Sequence, residues 1–251
     1  MKFENTAVYN FEGALRGMRN PKESWDKSDS EIGCNIIGTR QCDECHYKNV
    51  DITKRFCIGE NDMKLAQTLI RAGSEHRKFL RQIFVSVDIT APLYWWKEFD
   101  TYKVGTVANS TSTMHKMASK PITLDCFEID DYCKNGLHVI NDEPLADCSL
   151  QNFVDNIIQY LEKLRQRYLE TKDKRYWKEL IRWLPESWLQ TRTVTMTYEN
   201  LFAMCSKGQR RFHKLNEWSG QDDSTLTNFI SWARTLPYAQ QFIFIDEEDK
   251  S

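Results

Sequence analysis

Three stretches of the chain gather cations with hydroxyl and amide groups, the side chains that bind phosphates. His76, Arg77, Lys78 and Arg81 lie together just ahead of an alternating apolar run. Lys97, Lys103, Asn109, Ser110, Ser112, His115 and Lys116 follow a tryptophan pair in WWKEFDTYKVGTVANSTSTMHKM, residues 95–117. Lys207, Arg210, Arg211, His213 and Lys214 belong to KGQRRFHKLNEW. The hydroxyl-rich segment suits an anion, and Trp95 and Trp96 suit a planar ring. A plainer reading stands beside this one: solvated helix ends for the cations, and a packed core or subunit contact for the two tryptophans.

Other chemistries have less support. The sequence has no G-x-S-x-G, no P-loop and no strand–GxGxxG–helix, and no cysteine has an evident basic partner. Cys42 and Cys45 form a C-x-x-C pair, with Cys34, His46 and Cys57 nearby. Zinc takes about four ligands in a tetrahedron. The second pair is missing, so reduced, unligated thiols and no metal site are the expectation, with a small zinc-binding interaction protein as the remaining alternative.

The elements that must position these residues are partly legible. Residues 1–60 read as an irregular N-terminal segment. ENDMKLAQTLIRA predicts a helix over Glu60–Ala72, capped by Asn61 or Asp62, with Leu65, Leu69 and Ile70 on its apolar face. Val85, Val87, Ile89 and Ala91 alternate with polar residues, which predicts a half-buried strand stopped by Pro92. A helix over Leu93–Lys103 follows, then loop over 106–120 and a connector over 121–148. Leu150, Phe153, Val154, Ile157, Ile158, Leu161 and Leu164 recur at helical spacing, predicting a helix over Ser149–Thr171. Asp173 caps a second helix that runs to Leu184, before Pro185. Gln190–Tyr198 alternates again as a strand, followed by a helix from Glu199 and another over Ser224–Leu236. Residues 237–251 read as a polar tail. The sum is a helix-rich α+β fold in a single domain over 1–251.

Composition narrows the class. The 251 residues are 41% hydrophobic and 28% charged, with eight tryptophans and a net charge of -2. That suits a globular protein with a sizeable core and argues against a dedicated DNA or RNA binder. No apolar run approaches the ~20 residues of a membrane span, and the first residues lack the apolar core of a secretory signal. A cytoplasmic protein is expected.

The order of these features resembles the flavin-dependent thymidylate synthases (ThyX type). The resemblance rests on Ala91-Pro92 at the strand end, on Glu98 where the family often has Gln, and on Asn109 and Ser112 after the helix. It also rests on His76 ahead of the strand, Arg182 in IRWLP, TMTYENL over Thr195–Leu201, and RFHKLNEW over Arg211–Trp218. It spans about residues 60–220. The chain departs from the family pattern at several points: Arg-His-Arg is replaced by Thr101-Tyr102-Lys103, Asn-Glu by Asn109-Ser110, a Ser by Val107, Arg-Tyr by Met114-His115, and the Asn of the later strand by Thr197.

The resemblance implies an oligomeric fold, a homotetramer, with an antiparallel-type sheet packed by long helices. It implies an FAD-dependent methyltransferase that converts deoxyuridylate to thymidylate with methylenetetrahydrofolate and NADPH. Arg211 would stabilise charge developing on the uracil ring, and Glu98, Ser110, Thr111, Ser112 and Arg182 would hold the nucleotide with it. His76, Lys78, Thr101, Tyr102, Lys103, Asn109, Thr197 and Glu199 would line the cofactor. The alternative is a noncatalytic or repurposed nucleotide- or flavin-binding descendant, for example in modified-pyrimidine synthesis, because the family's arginines are partly lost.

Overall fold

The computed structural model describes residues 1–33, 56–129, 139–140, 143–144, 150–210, 212–219 and 227–247. Strands β1 (Lys2–Tyr9), β4 (Phe84–Pro92), β8 (Leu189–Thr197) and β5 (Val107–Ser110) form a four-stranded sheet in the order β1-β4-β8-β5. Two short antiparallel pairs stand apart: β2 (Glu31–Ile32) with β3 (Phe56–Cys57), and β6 (Val139–Ile140) with β7 (Glu143–Pro144). The chain groups into two compact units. One holds Thr90–Asp100 and Asn109–Arg192 with Met1; the other holds Lys2–Ile89, Thr101–Ala108 and Thr193–Ser251.

In the second unit the N-terminal segment is more regular than its sequence suggests. After β1, helix α1 (Phe11–Arg19) buries Phe11, Ala14, Leu15 and Met18. Their i, i+3, i+4, i+7 spacing is a helical face that Gly13 and Gly17 disguise in the sequence. Helix α2 (Glu60–Arg71) matches expectation in extent but not in its cap. Gly59 is the N-cap, and Asp29 accepts hydrogen bonds from the Asn61 and Asp62 amides at 2.9 and 3.1 Å. Asp62 instead turns inward. It accepts from Arg19 Nε at 2.5 Å and from the Ser28 and Ser30 hydroxyls, each at 2.6 Å. Burial raises the Asp62 pKa, but the Ser28, Ser30 and Arg19 hydrogen bonds and the Arg19 charge outweigh it and hold it below the usual value.

The strand patterns hold. Val85, Val87, Ile89 and Ala91 of β4 and Val194 and Met196 of β8 are fully buried, while Thr193 and Thr195 face solvent. The C-terminal stretch is not a polar tail: Ala239, Phe242, Ile243, Phe244 and Ile245 are buried in the core. Their apolar character sits in turns and short helices rather than in one periodic stripe, so no helical pattern announces it. The helix expected over Ser224–Leu236 is limited, among described residues, to Phe229–Ala233, capped by Asn228.

In the first unit, helix α3 (Leu93–Phe99) stops four residues short of the expected Lys103. Trp95 and Trp96 are 0% and 1% exposed, so they are core rather than a ligand wall. The loop expected over 106–120 contains the edge strand β5 and a short helix, α4 (Thr113–Lys116). Helix α5 (Leu150–Thr171) and helix α6 (Lys174–Arg182) pack together around Leu161, Leu164 and Leu180 with Met117, Ile122 and Phe127. Asp173 caps α6 as expected, accepting from the Arg175 amide at 2.9 Å.

Glu162 ties the 118–122 segment to α5. It accepts from Arg165 at 2.6 and 2.7 Å, from the Ile122 amide at 2.9 Å and from Gln166 at 3.0 Å, and Arg165 also donates to the Ala118 carbonyl at 3.1 Å. The Arg165 hydrogen bonds lead in lowering the Glu162 pKa from 4.5 to about 2, against the opposing effect of burial. Because the native value is depressed, this stabilisation is complete above pH 4.5 and is lost as pH falls toward 2. Glu162→Gln is expected to lose about 1–3 kcal/mol at pH 7 in urea unfolding, with the gap to the unsubstituted protein closing below pH 4.5. A gap independent of pH would contradict this assignment.

Candidate functional site

Two of the expected cofactor residues, Thr197 and Glu199, sit where β8 ends. Thr197 is the N-cap of helix α7 (Tyr198–Cys205), and Asn200 completes a capping box. The Thr197 hydroxyl accepts from the Asn200 amide at 3.2 Å, and the Thr197 amide and hydroxyl donate to Asn200 Oδ1 at 2.9 and 2.8 Å. From this junction each side chain or amide reaches a different segment. The Tyr198 amide donates to the Ile83 carbonyl at 3.0 Å, and its hydroxyl donates to the Pro237 carbonyl at 2.6 Å. Glu199 accepts from Arg77 Nε at 2.9 Å, and the Arg77 guanidinium lies 4.3 Å from the Phe202 ring centroid. Asn200 Nδ2 donates to the Val104 carbonyl at 2.6 Å.

That last bond holds the turn carrying Thr101, Tyr102 and Lys103. Inside the turn the Thr106 hydroxyl donates to the Tyr102 carbonyl at 2.9 Å. Gly105 has φ +82°, and a Cβ there would meet Asn200 Oδ1 at 3.1 Å, so the position needs glycine for both conformation and space. The Tyr102 ring rests against His213 and Trp218, with centroids at 6.3 and 5.9 Å. His213 stacks on Trp218 at 4.3 Å and bonds the Met204 carbonyl through Nε2 at 2.9 Å. The turn and the KGQRRFHKLNEW segment, far apart in sequence, therefore meet. Thr101 and Lys103 stay exposed, and Val104 at the tip is 89% exposed.

The same unit contains a cleft of about 980 Å³. Met18, Leu65, Leu69 and Phe79 supply apolar lining, and Lys22, Lys27 and Lys78 supply the cationic part, with the His76 ring beside them. Glu75 is the acid among them, 3.7 Å from Lys78. His76 and Lys78 were expected at a cofactor, and both line this cleft.

In the first unit, of the expected nucleotide residues, Ser110 ends β5 and Thr111 and Ser112 follow it. The Thr111 amide donates to the Thr191 carbonyl at 2.9 Å, and Gln190 Nε2 donates to the Thr111 carbonyl at 3.0 Å. Gln190 in turn accepts from Arg192 Nε at 2.9 Å. Arg192 also donates to Asp100 at 2.8 Å and lies 4.2 Å over the Trp96 ring. Arg192 escaped the sequence reading, although an arginine in step with Gln190, Val194 and Met196 along a strand is a readable signal of an inward-pointing cation. Asn200 was equally readable as the fourth residue of a T-x-x-N cap.

The other expected residues fare differently. Arg182 is half exposed and paired with Glu179, the plain alternative for an arginine one turn from an acid. Glu199 is engaged by Arg77 rather than open to a ligand. Glu98 is half-buried, and Asn109 is exposed on β5 in the first unit. Arg211, the expected catalytic cation, lies outside the described residues, as do Cys34, Cys42, Cys45 and His46 of the zinc alternative. Among the described residues no group of His, Cys, Asp or Glu could hold a metal ion, and no helix is long and apolar enough to cross a membrane.

Because Arg77 and Glu199 are both largely shielded, at 18% and 16% exposure, Glu199→Gln leaves a guanidinium short of its counter-charge. It is expected to cost about 2–4 kcal/mol in urea unfolding. Gly105→Ala is expected to cost about 1–2 kcal/mol from its φ alone. A loss within experimental error for either would show that the junction is looser than its geometry.

No family model matches the chain, and no curated protein matches it. Solved structures do. Flavin-dependent thymidylate synthase ThyX from Helicobacter pylori, complexed with FAD and dUMP, superposes with a TM-score of 0.53 at 13% identity, covering 98% of this chain and 99% of that one. A second structure of that protein with FAD and dUMP gives 0.55 at 12% identity over the full length of both. A UMP/dUMP methylase PolB from Streptomyces cacaoi, bound with 5-Br UMP, reaches only 0.41 over 58% of the chain, too loose to carry an argument. The chain thus has the fold seen in the flavin-dependent thymidylate synthases, from end to end, at a sequence identity that speaks to the fold alone.

Proposed function

We propose that the chain is an enzyme of the flavin-dependent thymidylate synthase kind, which binds FAD and deoxyuridylate and reductively methylates the nucleotide with methylenetetrahydrofolate and NADPH. The observation that carries the reading is the end-to-end match of fold to a protein solved with FAD and dUMP. The order of residues that resembles that family, from His76 to Trp218, points the same way.

The chain's residues fit such a cofactor. A cleft of about 980 Å³ with cations over an apolar lining suits a large anionic molecule with a flat ring. Lys22, Lys27 and Lys78 would hold the phosphates as point charges, with the His76 ring as a hydrogen-bonding neighbour. Bound FAD would supply the hydride chemistry that no side chain can. Tyr102, Lys103, Asn109 and Thr197 would contribute to orienting the cofactor, and Glu98, Ser110, Thr111 and Ser112 to holding the nucleotide. Arg211 would stabilise negative charge on the pyrimidine. Self-association into a homotetramer belongs to the same reading.

A second reading, a noncatalytic or repurposed nucleotide- or flavin-binding protein, is favoured by one observation: Arg182 is half exposed and neutralised by Glu179. Titration of the purified chain with FAD, followed by absorbance near about 450 nm, is expected to show binding, and Lys78→Ala is expected to weaken it about five- to tenfold. Oxidation of reduced flavin that depends on deoxyuridylate selects the enzyme. Binding of FAD or deoxyuridylate without that turnover selects the second reading; the absence of FAD binding overturns the first, and the absence of binding of either ligand overturns both.

A further inference from the structure

We infer that Asn200 is a positioning residue that acts through its amide nitrogen, holding the Lys103-bearing turn in the conformation that binds the anionic ligand. The inference deepens the function proposed above and rests on it. The two ends of this one side chain do different work. Oδ1 accepts from the Thr197 amide and hydroxyl at 2.9 and 2.8 Å and completes the helix cap, whereas Nδ2 leaves the helix and donates to the Val104 carbonyl at 2.6 Å.

The far end of the turn lies largely in solvent. Thr101, Lys103, Val104 and Gly105 are exposed. Tyr102 anchors one side against His213 and Trp218, and Thr106 closes the turn on itself. Val104 is 89% exposed, so its side chain contributes almost no burial. The bond from Asn200 to the Val104 carbonyl adds a restraint at the tip itself. Close packing of Gly105 against the Asn200 amide, with a Cβ position 3.1 Å from Oδ1, shows that the turn is shaped to meet this side chain. Lys103 is a flexible point charge, and its contribution to anion binding depends on where the backbone presents it. A mobile tip would spread that charge over many positions and make ordering it a cost of binding.

Asn200→Asp separates the two roles. A carboxylate can still accept from Thr197, so the cap remains, but it has no proton to give to the Val104 carbonyl. In the full-length protein the variant is expected to melt within about 3 °C of the parent. Amide exchange over 101–106 should rise about tenfold, while exchange over Tyr198–Cys205 stays unchanged. The FAD dissociation constant should rise about tenfold.

Lys103→Ala is expected to weaken FAD by a similar factor. The double variant should be little worse than either single one, because both remove the same charge from the same place. The inference is overturned if exchange over 101–106 is unchanged in Asn200→Asp, if it rises while FAD affinity stays within about twofold, or if the two substitutions multiply in full, as a direct repulsion by the new carboxylate would make them. Failure of the parent protein to bind FAD is a separate result, seen before any substitution, and it removes the proposed function together with this role.

Discussion

One strand has to become a helix at Thr197, and the reciprocal hydrogen bonds between Thr197 and Asn200 decide where. An N-terminal helical turn leaves amides without intrahelical partners. Here the Thr197 hydroxyl satisfies one of them while Asn200 reaches back to the Thr197 amide. Fixing the start of the helix to a single residue fixes the direction of the next three side chains. Tyr198 then reaches Ile83 and Pro237, Glu199 reaches Arg77, and Asn200 reaches Val104. A shift of one residue would break all four contacts at once. The junction therefore organises the strand ahead of it, the loop before β4, the exposed turn and the C-terminal segment.

Electrostatics divides the cations into two populations. Arg19, Arg77, Arg165, Arg182 and Arg192 each face a carboxylate, and three of these pairs, those of Arg19, Arg77 and Arg165, are largely shielded from solvent. The planar fork of arginine suits such fixed pairing, and its weaker hydration makes burial less costly. The lysines and histidine lining the cleft stand in the open, with Glu75 the acid among the lining residues. Charge available to a ligand is thus carried by Lys22, Lys27 and Lys78, and by Lys103 on the turn, whereas these five arginines hold the scaffold.

Legibility in the sequence followed the range of the forces involved. The β4 and β8 strands, the long α5 helix and the Asp173 cap were readable because burial on one face imposes a local period and a cap needs only its neighbours. Helix α1 was missed although its apolar residues are correctly spaced, since Gly13 and Gly17 lie among them and Asn10 precedes them. The buried segment at Ala239–Ile245 was missed because its apolar residues lie in turns, where no period exists. The candidate site behaved in the same way. His76 and Lys78 could be selected by type, whereas the engagement of Glu199 by Arg77, the pairing of Arg182 with Glu179 and the inward role of Arg192 depend on partners that type and spacing do not name.

The sequence by itself determined which stretches can bury a face, where helices can start, and that phosphate-binding side chains gather in three places. These follow from alternation, from capping chemistry and from the charge that each side chain carries wherever it is put. Tertiary structure decided which of those charges are neutralised and which are presented. It set Tyr102 against His213 and Trp218, brought Asn200 to Val104, and committed Glu199 to Arg77. Each outcome depends on contacts between residues tens to more than a hundred positions apart, and such contacts are set by the packing of whole elements rather than by any local pattern.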